Sequence, residues 1–294
     1  MTINRRRAPS SEISSEKKLG GHEKEREYAG LIGGVVIKGT QKADIKDKNG
    51  KLHSVKSGKK WQVFLYAYNR IAASKYLNIL LPCQDAFPED VNQYFEDRTK
   101  CIGFKEKFMA NHGRKATTRL SNDYVAKQLG ANSYMESKNR LRESTTSVSN
   151  KLKDNNYLRN FLQEAMFNND EVEFLAAQDT AYKNDGLFKV FAKQDVLNIL
   201  CDKLSSAVSR AGGVPEDYNV AGQKTLLKYQ NVKGKEKNIV EIEIRNDSIP
   251  KYRNVRFNMY SRDTLLLLLS NNLPSKPFGN EILVYGQAIE GFCW

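Results

Sequence analysis

Apolar and polar positions alternate along this chain in two different rhythms, and the change of rhythm divides it. Residues 22–32 carry apolar and charged positions at helical spacing and end at Gly33-Gly34, as a helix C-terminus should. Glu23 and Glu27, four apart, share one face of that helix. Val35-Val-Ile37 and Ala43-Asp-Ile45 predict short strands, and Asn49-Gly50 is the strongest hairpin signal in the chain. Residues 60–77, with Trp61, Phe64, Leu65, Tyr68, Ile71 and Ala72 at helical spacing, predict a core helix. From about 85 to 167 the pattern is charged and helical, including a Leu158, Phe161, Leu162, Ala165 stripe, and predicts a helical insertion. Strand character returns at 172–177 and 187–191, the latter leading into a helix near Asp195. Beyond Gly212-Gly-Val-Pro215, strands are expected at 226–229, 239–245 and 255–260. Val240, Ile242 and Ile244 alternate there with Glu241, Glu243 and Arg245, the mark of a half-exposed strand.

The hairpin admits two registers. A three-residue loop, Lys48-Asn49-Gly50 with Gly50 left-handed, pairs Asp47 with Lys51 and sets Asp44 opposite Ser54, so that Asp44, Ser54 and Lys56 share a face. A two-residue loop sets Asp44 opposite Val55 and sends Lys56 to the other side.

Composition narrows the chemistry. With 47 Lys and Arg against 34 Asp and Glu, a net charge of +13 calls for a polyanionic partner, and nucleic acid is the first candidate. Residues 1–18, with Arg5-Arg-Arg7, serines and Lys17-Lys18, have little to bury and predict a disordered basic arm. The four cysteines are scattered, with no CxxC pair and three histidines in all, which argues against zinc and for reduced thiols. No signal peptide opens the chain, and no apolar run reaches the roughly 18 residues of a membrane span, so an intracellular, cytoplasmic protein is expected. Leu265–Leu269 is too short to span and predicts a buried helix.

Phosphodiester hydrolysis needs an activated water, a stabilised leaving oxygen and offset negative charge, and a divalent ion held by carboxylates serves all three. Magnesium prefers hard oxygens and needs only one or two protein carboxylates. Asp44 is the first candidate ligand. Lys56, one alternation beyond Ser54, suits water orientation or charge beside the phosphate. Gln62, at the start of the expected helix, suits positioning of the lysine or the water. For DNA contact, Arg245, Asn246, Lys251, Arg253 and Arg256 combine groups that read purine edges or hold phosphates, and Arg114, Lys115 and Arg119 form a second basic cluster. Residues 120–130 have the outline of the first helix and turn of a helix-turn-helix unit.

Asp44, Ser54-Val-Lys56 and Gln62-Val-Phe-Leu-Tyr66, in that order, resemble the PD-(D/E)XK nuclease superfamily, the last segment matching the QxxxY element of its RecB-like members. The likeness spans roughly residues 20–77, with weaker agreement near 172 and 188, and in length and layout the chain resembles a type II restriction endonuclease. It implies an α/β fold, a PD-(D/E)XK (restriction endonuclease-like) mixed sheet flanked by helices. The expected divisions are an arm at 1–18, a nuclease core at 19–210 holding the helical insertion, and a C-terminal strand-rich extension at 211–294. It implies Mg2+ as cofactor, double-stranded DNA as substrate, a homodimer, a prokaryotic source and a separate cognate DNA methyltransferase. Glu27 or Glu23 would then match a helix-borne acid at the metal site, with Glu27 preferred because it lies closer to the next strand. The departures are Ser54, where the family has Asp or Glu, and Lys42, at the usual proline position. The alternatives are a repair or recombination nuclease of the same superfamily, and a non-catalytic DNA-binding protein with a degenerate metal site.

Overall fold

In a computed structural model, residues 11–38, 42–66, 68–87, 91–113, 118–178, 185–210, 221–246 and 253–294 are described. They form an α/β protein with a mixed sheet and an antiparallel sheet, both flanked by helices. The chain divides into two compact units, one of residues 1–61, 162–202 and 259–294, the other of 62–161 and 203–258.

The first unit is built on α1 (Ser11–Ile32), β1 (Val35–Val36), β2 (Ile45–Lys46) and β3 (Leu52–Lys56). Helix α1 ends where the glycine pair predicts: Gly33 has φ +64°, and the Gly34 N–H donates to the Ala29 carbonyl at 2.8 Å, closing a Schellman cap. A Cβ on Gly34 would stand 2.9 Å from the Lys46 carbonyl oxygen, so the helix can meet the hairpin this closely only through glycine. The same helix reaches back to Ser11, which corrects the arm expected over 1–18. Residues 11–18, SEISSEKK, contain no proline or glycine, and the helix continues through Gly20-Gly21. The arm's Arg5–Arg7 lie outside the described residues.

From β3 the chain builds the second unit and returns through the end of α7 (Asn155–Phe167) to β5 (Phe174–Gln178), which pairs parallel with β3. Strand β6 (Phe188–Ala192) runs antiparallel to β5 and leads into α8 (Lys193–Lys203). Helix α9 (Ser261–Leu269), strands β11 (Ser275–Phe278) and β12 (Ile282–Tyr285), and α10 (Ala288–Gly291) complete this unit. The sheet order is β1-β2-β3-β5-β6-β12-β11, with β12 parallel to β6. Residues 259–294 therefore belong to the first unit, a correction to the single extension expected over 211–294. The apolar pentad 265–269 is the mostly buried body of α9.

One face of this sheet carries the core. Tyr28, Ala29 and Ile32 of α1 pack with Ile45, Val55, Phe174, Ala176, Phe188 and Val190, and with Phe292 just after α10. Fully burying each such side chain contributes about 1.5–3 kcal/mol.

The second unit holds β4 (Lys60–Tyr66), β7 (Ser205–Arg210), β8 (Ala221–Gln230), β9 (Glu236–Asn246) and β10 (Arg253–Tyr260), in sheet order β4-β10-β9-β8-β7. Its helices are α2 (Tyr68–Ala72), α3 (Leu81–Asp85), α4 (Arg98–His112), α5 (Thr118–Leu129), α6 (Asn132–Lys151) and the start of α7, of which α4 to α7 fall in the stretch of about 85–167 expected to be helical. The core helix expected over 60–77 is a correction. Lys60–Tyr66 is a strand, and only Tyr68–Ala72 is helical. A short aromatic and β-branched run fits either period, and here Phe64 stacks on Tyr66 at 4.3 Å and on Phe257 at 5.3 Å across the sheet.

Helices α5 and α6 are separated by Gly130 and Ala131 alone, tighter than the three or four residues usual in a helix-turn-helix. Tyr134, Lys138, Leu141, Thr145 and Val148 line the buried face of α6, and Ser149 hydrogen-bonds Ser206 of β7 at 2.9 Å.

Candidate active site

The hairpin has the three-residue loop. Gly50 has φ +86°, the Asp47 N–H donates to the Lys51 carbonyl at 2.9 Å, and Ile45 pairs with His53. Asp47 shapes the turn itself, since its Oδ1 accepts the N–H groups of Asn49 and Lys51, both at 2.9 Å. Asp44 thus falls opposite Ser54, and the period of two sends Asp44, Ser54 and Lys56 to one side and Ile45, Asp47, His53 and Val55 to the other.

On the first side the three side chains meet. Asp44 Oδ2 accepts the Val55 N–H at 2.7 Å, the Ser54 hydroxyl at 3.2 Å and the Lys56 ammonium at 3.2 Å, and Lys56 also donates to the Val55 carbonyl at 3.0 Å. The other carboxylate oxygen, Asp44 Oδ1, accepts no hydrogen bond from the described residues, and the side chain is 20 % exposed. The result is a cation and a carboxylate fixed by backbone on a sheet face, with one hard oxygen open. Across β5 the same face continues through Ala177, which pairs with Lys56, to Lys189. Lys189 is buried and held by both oxygens of Asp185 at 2.9 Å.

On the second side is a closed relay. The Nε2 of His53 lies 3.3 Å from Asp47 Oδ2, and its Nδ1 lies 3.1 Å from the Tyr28 hydroxyl. A carboxylate only accepts, so Nε2 carries the proton and Nδ1 accepts from Tyr28. Burial pushes the His53 pKa below its ordinary value, against the opposing pull of Asp47, and so favours this neutral ring. Burial also lifts Tyr28 well above 10, with Cys293 and Asp47 adding to the shift. The relay ties helix α1 to the hairpin and fixes which face looks inward.

Glu23 and Glu27 both lie exposed on α1. Glu27 accepts from Lys24 at 2.5 Å and from the Gln178 amide at 3.4 Å, the latter at the end of β5 one residue beyond the partner of Lys56. Among the described residues no three of His, Cys, Asp and Glu gather into a metal-ligating group. A three-acid centre of Asp44, Glu23 and Glu27 is therefore not formed, and Ser54 is the reason a close pair is missing on the hairpin. Asp44 Oδ1 and the Glu27 carboxylate are each hard oxygens of the kind magnesium takes, while the Ser54 hydroxyl is buried and donates to Asp44.

Gln62 corrects the sequence reading. It is an exposed position of strand β4 between buried Trp61 and Val63, and opens no helix. The Arg256 guanidinium is engaged inside the second unit. It pairs with Glu243 and lies 3.8 Å from Glu241, while Lys224 reaches the same two glutamates at 3.2 and 3.4 Å. These pairings allow Glu241 to be 95 % buried and correct the half-exposed strand expected there. The other proposed DNA contacts fall outside the description: the side chains of Arg119, Arg245, Asn246 and Arg253, and the whole of Arg114, Lys115 and Lys251.

Two features had been missed. The Asp47–His53–Tyr28 relay has no sequence signal beyond a histidine in a strand. Gln178 has one, since it is the polar residue ending the apolar run 174–177, at the carboxyl end of a parallel strand where α/β sheets place their ligands. No family model matches this chain, and neither curated proteins nor solved structures give a match.

Proposed function

We propose that this protein is a magnesium-dependent, sequence-specific endonuclease that hydrolyses phosphodiester bonds of double-stranded DNA, in the manner of a type II restriction enzyme of the PD-(D/E)XK plan. The observation that carries the reading is the meeting of Asp44 and Lys56 at 3.2 Å on one face of the hairpin. The element order supports it: a helix, a three-stranded antiparallel unit, and a return to a strand parallel with the lysine-bearing one. The net charge of +13 supports a polyanionic substrate.

In this reading Asp44 and Glu27 supply the carboxylates for the ion. A bound magnesium ion polarises a phosphoryl oxygen and lowers the pKa of a ligand water. Asp44 is oriented by the Val55 N–H and the Ser54 hydroxyl, leaving Oδ1 as the binding oxygen. Lys56, steadied by the Val55 carbonyl, offsets charge at the phosphate and orients the attacking water. Cutting both strands of a two-fold site calls for a homodimer, and protection of host DNA calls for a separate cognate methyltransferase. The working compartment is the cytoplasm of a prokaryotic cell. Among the described residues no helix is long and apolar enough to cross a membrane.

A specific observation favours a second reading. Ser54 stands where a second acid would bind metal, and it hydrogen-bonds the only hairpin carboxylate on that face. A protein that binds DNA without cutting it would have this arrangement.

Digestion of unmethylated phage DNA with and without magnesium separates the two. The endonuclease yields discrete, magnesium-dependent fragments. Asp44→Ala and Lys56→Ala should each lower cutting by about two to three orders of magnitude, the scale of losing one preorganised charge at a transition state. A salt-sensitive gel shift with no cutting, from wild type and Ser54→Asp alike, would overturn the enzyme and leave the binding protein.

A further inference from the structure

Gln178 is 97 % buried, yet its Oε1 has no hydrogen-bond partner among the described residues. Leaving a buried amide oxygen unmatched forfeits its hydration with nothing in return. The neighbouring β5 side chains Phe174–Ala177 are all apolar, and an apolar residue at 178 would avoid that cost. The amide nitrogen shows what is gained. Nε2 donates to the Gly186 carbonyl, two residues before β6, at 2.7 Å and to Glu27 Oε1 at 3.4 Å. Both partners are acceptors, so the amide cannot be flipped to satisfy Oε1 without losing both bonds.

We infer that Gln178 is a positioning residue for Glu27, holding that carboxylate at the carboxyl ends of β3 and β5 for a divalent cation. This inference rests on the proposed nuclease reading. It assigns Gln178 a role the Gly186 bond alone does not require, because holding the backbone before β6 needs only one acceptor. Among the described residues Glu27 otherwise has only Lys24, three residues earlier on the same helix, to direct it. An exposed carboxylate with that partner alone samples several rotamers, and a donor anchored in the sheet selects one. The amide suits the task better than a cation would, since it orients the carboxylate without neutralising the charge the ion needs.

The test is magnesium binding by the full chain without DNA, followed by the magnesium-dependent rise in melting temperature, alongside the magnesium concentration for half-maximal cutting. Gln178→Met keeps the volume and removes the donor. It should weaken magnesium binding about tenfold, the scale for losing a group that orients a metal ligand, while leaving the metal-free melting temperature close to wild type. Glu27→Gln should weaken binding at least as much, and Gln178→Met added to Glu27→Gln should then change nothing further. Gln178→Leu also removes the donor and adds no charge to the buried position, so it should weaken binding likewise, and it stands in if the methionine variant does not fold. If Glu27→Gln and Asp44→Ala weaken magnesium binding while both Gln178 variants match wild type, the positioning role is overturned and the metal site stands. If none of the four variants alters magnesium binding, the metal site itself is overturned, and with it the inference.

Discussion

The two faces of one hairpin carry an aspartate each, and the structure treats them in opposite ways. Asp47 is sealed from solvent, and its two oxygens take two backbone N–H groups and the His53 ring. Asp44, three residues earlier, is partly exposed, takes its hydrogen bonds through one oxygen and leaves the other open. The first arrangement leaves nothing for a ligand, which makes it a fold determinant. The second leaves a carboxylate oxygen beside a fixed ammonium, which is what the proposed chemistry asks of it. Satisfaction, more than residue type, separates structural charge from functional charge. The four-charge network of Lys224, Glu241, Glu243 and Arg256 falls with Asp47 on the structural side.

The largest effect is expected from exchanging the faces. Deleting Lys46, with the turn and β3 held in place, moves Asp44 one position along β2 and turns its side chain to the inner face. Such a change strands a charge in the core beneath α1, and the loss should be on the order of 4 kcal/mol or more, enough to abolish cooperative unfolding in urea. Gly50→Ala keeps the register and should cost about 1–2 kcal/mol through its left-handed φ. A deletion variant that unfolds like wild type and still cuts DNA would show that the register does not control the site.

Next in size is a double dissociation between the aspartates. Asp47→Ala leaves His53 Nε2 and two turn N–H groups without their acceptor, and should cost about 3 kcal/mol by urea denaturation. The cutting rate per folded molecule should stay within about threefold, since no atom of the relay faces Asp44. Asp44→Ala should do the reverse, losing cutting at a stability cost of about 1 kcal/mol. Equal losses of both properties in both variants would erase the distinction between the faces.

Much of this was legible in the sequence, and the reasons are local. Asn49-Gly50 marks the hairpin but leaves two registers open, and the left-handed Gly50 of the structure decides between them; the Gly33-Gly34 pair fixes the end of α1, and the apolar run at 174–177 fixes a buried strand. Lys60–Tyr66 was misread because an aromatic run of seven satisfies both periods, and the sheet partners that decide it, such as Phe257, lie almost two hundred residues away. Gln178 was passed over because an orphaned oxygen is a property of packing, invisible until the surrounding atoms are placed.

The smallest predicted effect is the dependence of stability on pH, and it belongs to the closed face. Burial holds the folded-state pKa of His53 below its ordinary value near 6.5. As pH falls through 6.5, the unfolded chain binds a proton that the folded chain refuses, so stability falls. The fall continues down to the depressed folded pKa, and above 6.5 His53 contributes no pH dependence. One such group gives a slope of at most about 1.4 kcal/mol per pH unit. His53→Gln keeps an amide to donate to Asp47 and to accept from Tyr28, but does not titrate. Between pH 7.5 and 6 its urea midpoint should therefore fall less than that of wild type, while Asp44→Ala tracks wild type across the same range. Parallel curves for wild type and His53→Gln would mean that the buried ring is not the titrating group, and that acid sensitivity must be sought outside the relay.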